Sequence, residues 1–327
     1  MNHARRRFLQ AATGTALLAV VPPIAHAQSY PARSVRMIVP FAPGGMVDTA
    51  GRLIAQKLSE HFGRQYYVEN VPGAGGNIGL ARAAQPSADG YTLAVFDSIS
   101  YVVNPTLFST PLYDPGRDFE AITMPVSTTQ VLTVHPSLPV HTVKELVELI
   151  KANPGKFSYA SAGIGSASHL TSELFRTSLG LDLIQVPFNG AGPAVTSTMC
   201  GHTPIAFSSP ASSTEQIKQG ALRALAVASK TRLSTLPDVP TMAEAGFPEI
   251  ECDARIGFLA PVGTPKQIVA LLNREIGNIV ALPGVKEQLV KFGFEPFPNT
   301  PEEAAVELKS EPTKWLGVIR AANVKGQ

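Results

Sequence analysis

The reading of this chain turns on Met37-Ile38-Val39-Pro40-Phe41-Ala42-Pro43-Gly44-Gly45-Met46-Val47-Asp48 and on Tyr67-Val68-Glu69-Asn70-Val71-Pro72-Gly73-Ala74-Gly75-Gly76-Asn77-Ile78-Gly79. In each stretch a short apolar strand runs into glycines that open a helix. Such a junction gathers unpaired backbone N–H groups and the positive end of a helix at one point. It binds an anion without any charged side chain. Two junctions this close in sequence point to a pocket for a small carboxylate. Glycine is also the default residue wherever φ must be positive, so simple chain reversal is the competing reading. That both turns open helices favours binding.

Strands and helices alternate outward from these turns. Strands are expected at 35–39, 66–69 and 91–96. Helices are expected at about 48–62 and 78–84, the first with Ala50, Leu53, Ile54 and Leu58 at helical spacing and Gly63 at its end. A loop-rich stretch, 104–118, follows. Thr142-Val143-Lys144-Glu145 is a capping box for a helix ending at Asn153-Pro154-Gly155. A strand at 157–160, a Ser/Gly loop, a helix closed by Gly180, a strand at 183–186 and a helix at 194–200 repeat the unit. Strands at 204–208 and 222–228 complete a second sheet. Thr241 to Glu244 and Thr300 to Glu303 are further capping boxes, and Thr264-Pro265 opens a helix to about Leu282. This alternation predicts parallel α/β sheets.

Residues 1–27 read as a leader. Arg5-Arg6-Arg7-Phe8-Leu9 fits the twin-arginine export pattern, an apolar run follows, and Ala25-His26-Ala27 is a cleavage site, so the mature chain is expected to start at Gln28 in the periplasm. The chain has 27 basic and 25 acidic residues, but three of the basic ones lie in the leader, which holds no acid. Beyond the leader the acids therefore outnumber the bases by one, which removes the electrostatic case for nucleic-acid binding. About 300 residues remain, enough for two domains with their own cores. Cys200 and Cys252 are read as free thiols, although export makes a disulfide chemically allowed.

Other chemistries fit poorly. Gly73–Gly79 fails the dinucleotide pattern because Ile78 stands at its sixth position. Ser166 and His169 invite a nucleophile-and-base reading, yet G-x-S-x-G is absent and no acid orients the histidine. His135, His141 and His202 are scattered without metal-ligand spacing. Asp48 reads equally as a helix cap and as a pocket wall. Ser166 and Asn189 each read as ligand hydrogen-bonders or as local turn formers. His169 divides between ligand contact and packing. Arg255 is either a guanidinium in the cleft, paired with a ligand carboxylate, or a solvent-facing strand residue.

Val39-Pro40-Phe41 with Gly44-Gly45 and Asp48, Glu69-Asn70 with Pro72 to Gly79, Asp89-Gly90-Tyr91-Thr92-Leu93, Tyr159-Ala160-Ser161 with Gly163, Gly165-Ser166 and His169-Leu170, and Leu222 to Val227 with Leu236-Pro237-Asp238-Val239-Pro240-Thr241 together resemble the substrate-binding proteins of tripartite tricarboxylate transporters, the TctC or Bug receptors. The resemblance covers essentially the whole mature chain. It implies a two-lobed α/β clamshell of the periplasmic-binding-protein (Venus flytrap, type II-like) class. It further implies no enzymatic activity, no cofactor and no metal. The implied ligands are di- and tricarboxylates, acidic amino acids and aromatic acids. The implied partners are the membrane permease subunits of such a transporter, or alternatively a sensor kinase, served by a monomeric receptor. The chain departs from the family pattern at Asn189, Ser208 and Arg255, and these departures are expected to retune ligand choice. The expected lobes are 28–128 with 253–327, and 129–252. The expected ligand-binding set is Phe41, Ala42, Gly44, Gly45, Asp48, Asn70, Gly75, Gly76 and Ser98 from the first lobe. From the second it is Ser161, Gly163, Ser166, His169, Phe188, Asn189, Gly190 and Ser208.

Overall fold

In the computed structural model, which describes residues 30–108, 110–310 and 312–326, the chain opens with β1 (Val35–Val39). The leader, its twin arginines and the cleavage position lie outside the described residues. From β1 the chain turns through Gly44-Gly45 into α1 (Met46–Phe62), which buries Val47, Ala50, Leu53, Ile54 and Leu58 on one face and ends at Gly63 with φ +62°. β2 (Tyr66–Asn70), α2 (Asn77–Ala84), β3 (Thr92–Asp97), α3 (Ser98–Leu107) and β4 (Phe119–Thr128) follow. The second region holds β5 (Val131–Val134), α4 (Val143–Ala152), β6 (Phe157–Ser161), α5 (Ala167–Ser178), β7 (Leu183–Pro187), α6 (Ala191–Met199), β8 (Ile205–Ser208), α7 (Pro210–Lys218) and β9 (Arg223–Val227). The chain then returns through β10 (Ala254–Pro261), α8 (Lys266–Ala281), α9 (Pro283–Lys291), β11 (Glu295–Pro296), α10 (Pro301–Ser310) and α11 (Pro312–Ala322).

These strands form two sheets, each the centre of one α/β lobe, in the orders β11-β4-β10-β3-β1-β2 and β7-β6-β8-β5-β9. Both sheets are mixed, not parallel as the alternation predicts. β1, β2 and β3 run parallel, as do β6, β7 and β8, but β10 pairs antiparallel with β3 and β4, and β5 pairs antiparallel with β8 and β9. The antiparallel members belong to the passages between sheets. Only Thr129 and Gln130 separate β4 of the first sheet from β5 of the second. The return passage, between β9 and β10, lies beside it: the Ala228 N–H donates to the Gln130 carbonyl (2.8 Å), and the Cys252 N–H to the Ala228 carbonyl (2.7 Å).

Two elements hidden in the sequence each contain a proline. Pro105 lies inside α3, where it withdraws the N–H that would reach the Tyr101 carbonyl. The Tyr113 hydroxyl replaces it, donating to Tyr101 O at 2.7 Å. Pro125 lies in β4 where the pairing with β10 slips register, Ile256 facing Val126 but Phe258 facing Thr123. The Thr142 and Thr300 boxes cap helices as expected. At Thr241 the reciprocal bonds with Glu244 close only a turn.

α11 packs against both α3 and α5, and Trp315 is buried at 1% exposure in a core that draws on both sheets. Cys200 and Cys252 are not joined in a disulfide; Cys200 is exposed and Cys252 buried. Gly79 sets how closely α2 seats against β1, since a Cβ there would lie 2.6 Å from both Pro40 Cα and the Val71 carbonyl. Gly79→Ala is therefore expected to cost roughly 1–3 kcal/mol. By thermal denaturation the midpoint should fall by several degrees, and an unchanged midpoint would mean the strand–helix spacing yields freely.

Candidate functional site

The first glycine turn is held from behind. Gly45, not Asp48, is the N-cap of α1. Buried Asp48 accepts from Gly44 N–H (3.0 Å), Asn70 Nδ2 (2.8 Å) and Arg52 Nε (3.0 Å). Asn70 Nδ2 also reaches the Phe41 carbonyl (2.9 Å), and an Arg52 terminal nitrogen donates to Asn70 Oδ1 (2.7 Å). Asp48 and Asn70 thus brace the turn. The Gly44 and Gly76 N–H groups, expected as ligand donors, are occupied by Asp48 and by the Gly73 carbonyl (3.0 Å). Gly45 and the first residues of α1 keep the helix end that faces inward.

The glycines also bring the two lobes together. Ala42 N–H donates to the Asn189 carbonyl at 2.9 Å. A Cβ on Gly75 (φ +60°) would sit 1.7 Å from the Ile164 carbonyl oxygen, one on Gly190 2.8 Å from Ala42 N, and one on Gly163 3.1 Å from Gly75 Cα. Asn104 Nδ2 holds the Gly75 carbonyl at 2.9 Å. Ala42, Gly75, Gly163, Gly190 and the Asn189 backbone therefore form the seam. The Asn189 side chain is exposed.

Behind this seam lies a cavity of about 40 Å³, room for only a few water centres. Five helix N-termini meet on it. Gly45, Met46 and Val47 bring α1, Asp97 brings α3, Ser166 to Ser168 bring α5, Ala191 brings α6, and Ser209 brings α7. Of the expected ligand set, Phe41, Gly45, Ser166 and Ser208 line it. Ser166 caps α5, accepting from His169 N–H (3.3 Å) and donating to the Gly163 carbonyl (2.7 Å). Among the described residues, no lysine, arginine or histidine lines the cavity.

Four polar lining residues escape the sequence reading: Ser168, Ser209, Asp97 and Gln130. Asp97 is 1% exposed and caps α3, accepting from Ser100 N–H (2.9 Å) and from the Ser100 hydroxyl. Burial pushes its carboxyl above the usual range, against those hydrogen bonds. It stands at the same strand-to-helix position as the glycine turns, the one signal that points to it. Gln130, 1% exposed, sits in the crossing between sheets. Its Nε2 rests 3.8 Å from Met46 Sδ and its Oε1 has no partner.

Other expected site residues lie off the cavity lining and make contacts within the fold. Ser98 is buried at the start of α3, where its hydroxyl accepts from Arg255 N–H (3.2 Å). Ser161 accepts from Gln185 Nε2 (3.2 Å), and Phe188 packs on Ala160, Ala194 and Ala206. Arg255 matches neither expectation. Its side chain is 15% exposed, ion-paired with Glu307 (2.8 Å) and Asp253 (3.2 Å), and stacked over Phe297 at 3.8 Å.

Residues 50–324 match the family model described as the tripartite tricarboxylate transporter family receptor, TctC. The chain is 35% identical over 300 residues to BugT of Bordetella pertussis, covering 91% of this chain and 92% of BugT. It is similar to the solved structure of Rhodopseudomonas palustris Rpa4515 with adipate, with a TM-score of 0.87, 32% identity, and coverage of 90% of this chain and 99% of that one. The R. palustris MatC structure with bound malate superposes with a TM-score of 0.84 at 30% identity, covering 89% and 100%.

His169 shapes the loop before α5 and does not line the cavity. Gly165 N–H donates to its Nδ1 at 3.0 Å, which places the proton of the neutral ring on Nε2. Burial draws its pKa down to about 4; the Arg176 charge adds to this and the Glu173 charge opposes it. The unfolded chain takes up this proton near pH 6.5 and the folded chain only near 4, so stability falls as pH drops through that window, by up to about 3 kcal/mol. Denaturant titrations of wild type and His169→Asn at pH 7, 5.5 and 4 should show the steeper acid loss in wild type. Parallel curves would remove the histidine from that account.

Proposed function

The chain belongs to the tripartite tricarboxylate transporter receptor family, and on that premise we propose that this periplasmic solute-binding protein captures a small organic acid between its lobes and hands it to the permease subunits of such a transporter. The convergence of five helix N-termini on one cavity without a basic side chain carries the reading. Backbone N–H groups and helix ends hold a carboxylate there. Phe41 supplies an apolar wall, and Ser166 and Ser208 add hydroxyls. Relatives solved with adipate and with malate support the ligand class. We place the lobes at 28–128 with 253–327 and at 129–252, so that Thr129-Gln130 and the 228–253 passage act as the hinge. The protein is exported, with cleavage after Ala27.

A thermal-shift screen of the purified protein against mono-, di- and tricarboxylates, amino acids and aromatic acids tests the proposal. A ligand at a hundred times its dissociation constant should add about 2.7 kcal/mol. A flat screen, with no acid released when the protein is denatured, would refute it. Gly75→Ala places a methyl on the Ile164 carbonyl and should weaken the responding acid roughly 10- to 100-fold, matching the 1–3 kcal/mol cost of overpacking. Unchanged affinity by calorimetry would show that binding does not require the seam.

A further inference from the structure

The carboxylate site of the receptor reading above also carries two buried acceptor-bearing side chains on its wall, Asp97 and Gln130. Asp97 lines the cavity with both carboxylate oxygens accepting from Ser100. A carboxylate offers about four lone-pair positions, so capacity remains. Gln130 adds an amide whose orientation is fixed by its neighbour: the Met46 thioether accepts but cannot donate, so it holds Nε2 and leaves Oε1 without a partner. A buried acceptor left unpaired is costly, and a buried carboxylate facing no cation more so. A ligand that met these two groups with a second carboxylate would set like charge against like in a buried cavity. One that met them with an ammonium group would satisfy both at once.

We propose that Asp97 and Gln130 make this site selective for a compact acid bearing one carboxylate and one ammonium group, an aminoalkanoate, and that they turn away di- and tricarboxylates. The proposal rests on the carboxylate-receptor reading. The helix ends take the ligand carboxylate, while Asp97 and Gln130 Oε1 take its N–H donors. The cavity of about 40 Å³ keeps the ligand short. Gln130 also lies in the crossing between the sheets, its carbonyl held by Ala228 N–H, so the residue that reads the ammonium group is part of the backbone joining the lobes.

The test is calorimetry at pH 7 on the purified protein with two matched sets: propionate, β-alanine and malonate, then butyrate, 4-aminobutyrate and succinate. Wild type should bind an aminoalkanoate at least about tenfold tighter than its plain or dicarboxylate counterpart. Asp97→Asn keeps a good helix cap, so the fold should stand. It should erase the preference and admit the dicarboxylate. Gln130→Leu, which leaves Asp97 in place, should weaken the aminoalkanoate several-fold and leave the plain acid unchanged. A wild type that prefers malonate or succinate, with Asp97→Asn indifferent, would overturn the selectivity and leave the receptor reading standing. If these acids and the wider screen all fail to bind, both fall together.

Discussion

The structure depends on backbone meeting backbone across the seam. No side chain fits where Gly75 faces the Ile164 carbonyl or where Gly190 faces Ala42, so these positions admit hydrogen alone. Close approach lets Ala42 N–H reach the Asn189 carbonyl and brings the ends of α1 and α6 together, with the Gly45 Cβ position 3.2 Å from Ala191 Cβ. The cavity exists because these turns can touch. Each turn ends in a helix N-terminus, which turns positive helix ends toward it.

That construction separates two tasks. Helix ends and N–H groups attract a carboxylate whatever it is attached to, since they read only charge and geometry. Discrimination is left to the few polar side chains on the wall. Asp48, Asn70 and Arg52 are not among them; they keep the turn rigid and use up the Gly44 N–H in doing so. Asp97 and Gln130, one at a strand end and one in the crossing, stand on that wall, and the proposed selectivity assigns them the rest of the ligand.

Much of this was legible in the sequence because it is local. Val35–Val39 running into Gly44-Gly45, the helical spacing behind it, and the boxes at Thr142 and Thr300 each carry their cause within a few residues. The two-lobed class followed from the family motifs. What stayed hidden depends on distant partners. α3 looks broken at Pro105 until Tyr113 satisfies the stranded Tyr101 carbonyl, and β4 looks broken at Pro125 until pairing with β10 takes it up as a bulge in β4. Antiparallel β5 and β10 leave no local mark. Gln130 follows no pattern, being one of two residues between strands of different sheets. Gly75 and Gly190 were legible as special glycines but not as seam residues, because the same need for a missing Cβ arises from a ligand or from the opposite lobe.

The seam is tight but thinly bonded. Its backbone hydrogen bond, from Ala42 to Asn189, contributes on the order of 0.5–1.5 kcal/mol net, and the glycine contacts bring no apolar side chains to bury. Against that stands an unpaired Gln130 Oε1 and a buried Asp97 without a cation, both of which burden the arrangement when the cavity is unfilled. The proposed closure sets these two terms against each other. A ligand shifts such an equilibrium only through contacts it makes in one arrangement and not the other. A group that satisfies Asp97 and Gln130 acts on the term that opposes closure, while a carboxylate on the helix ends acts on the term that favours it. Under the proposed closure, recognition at both faces of the cavity couples to the same movement, and a ligand that satisfies only one of them has correspondingly less leverage over it.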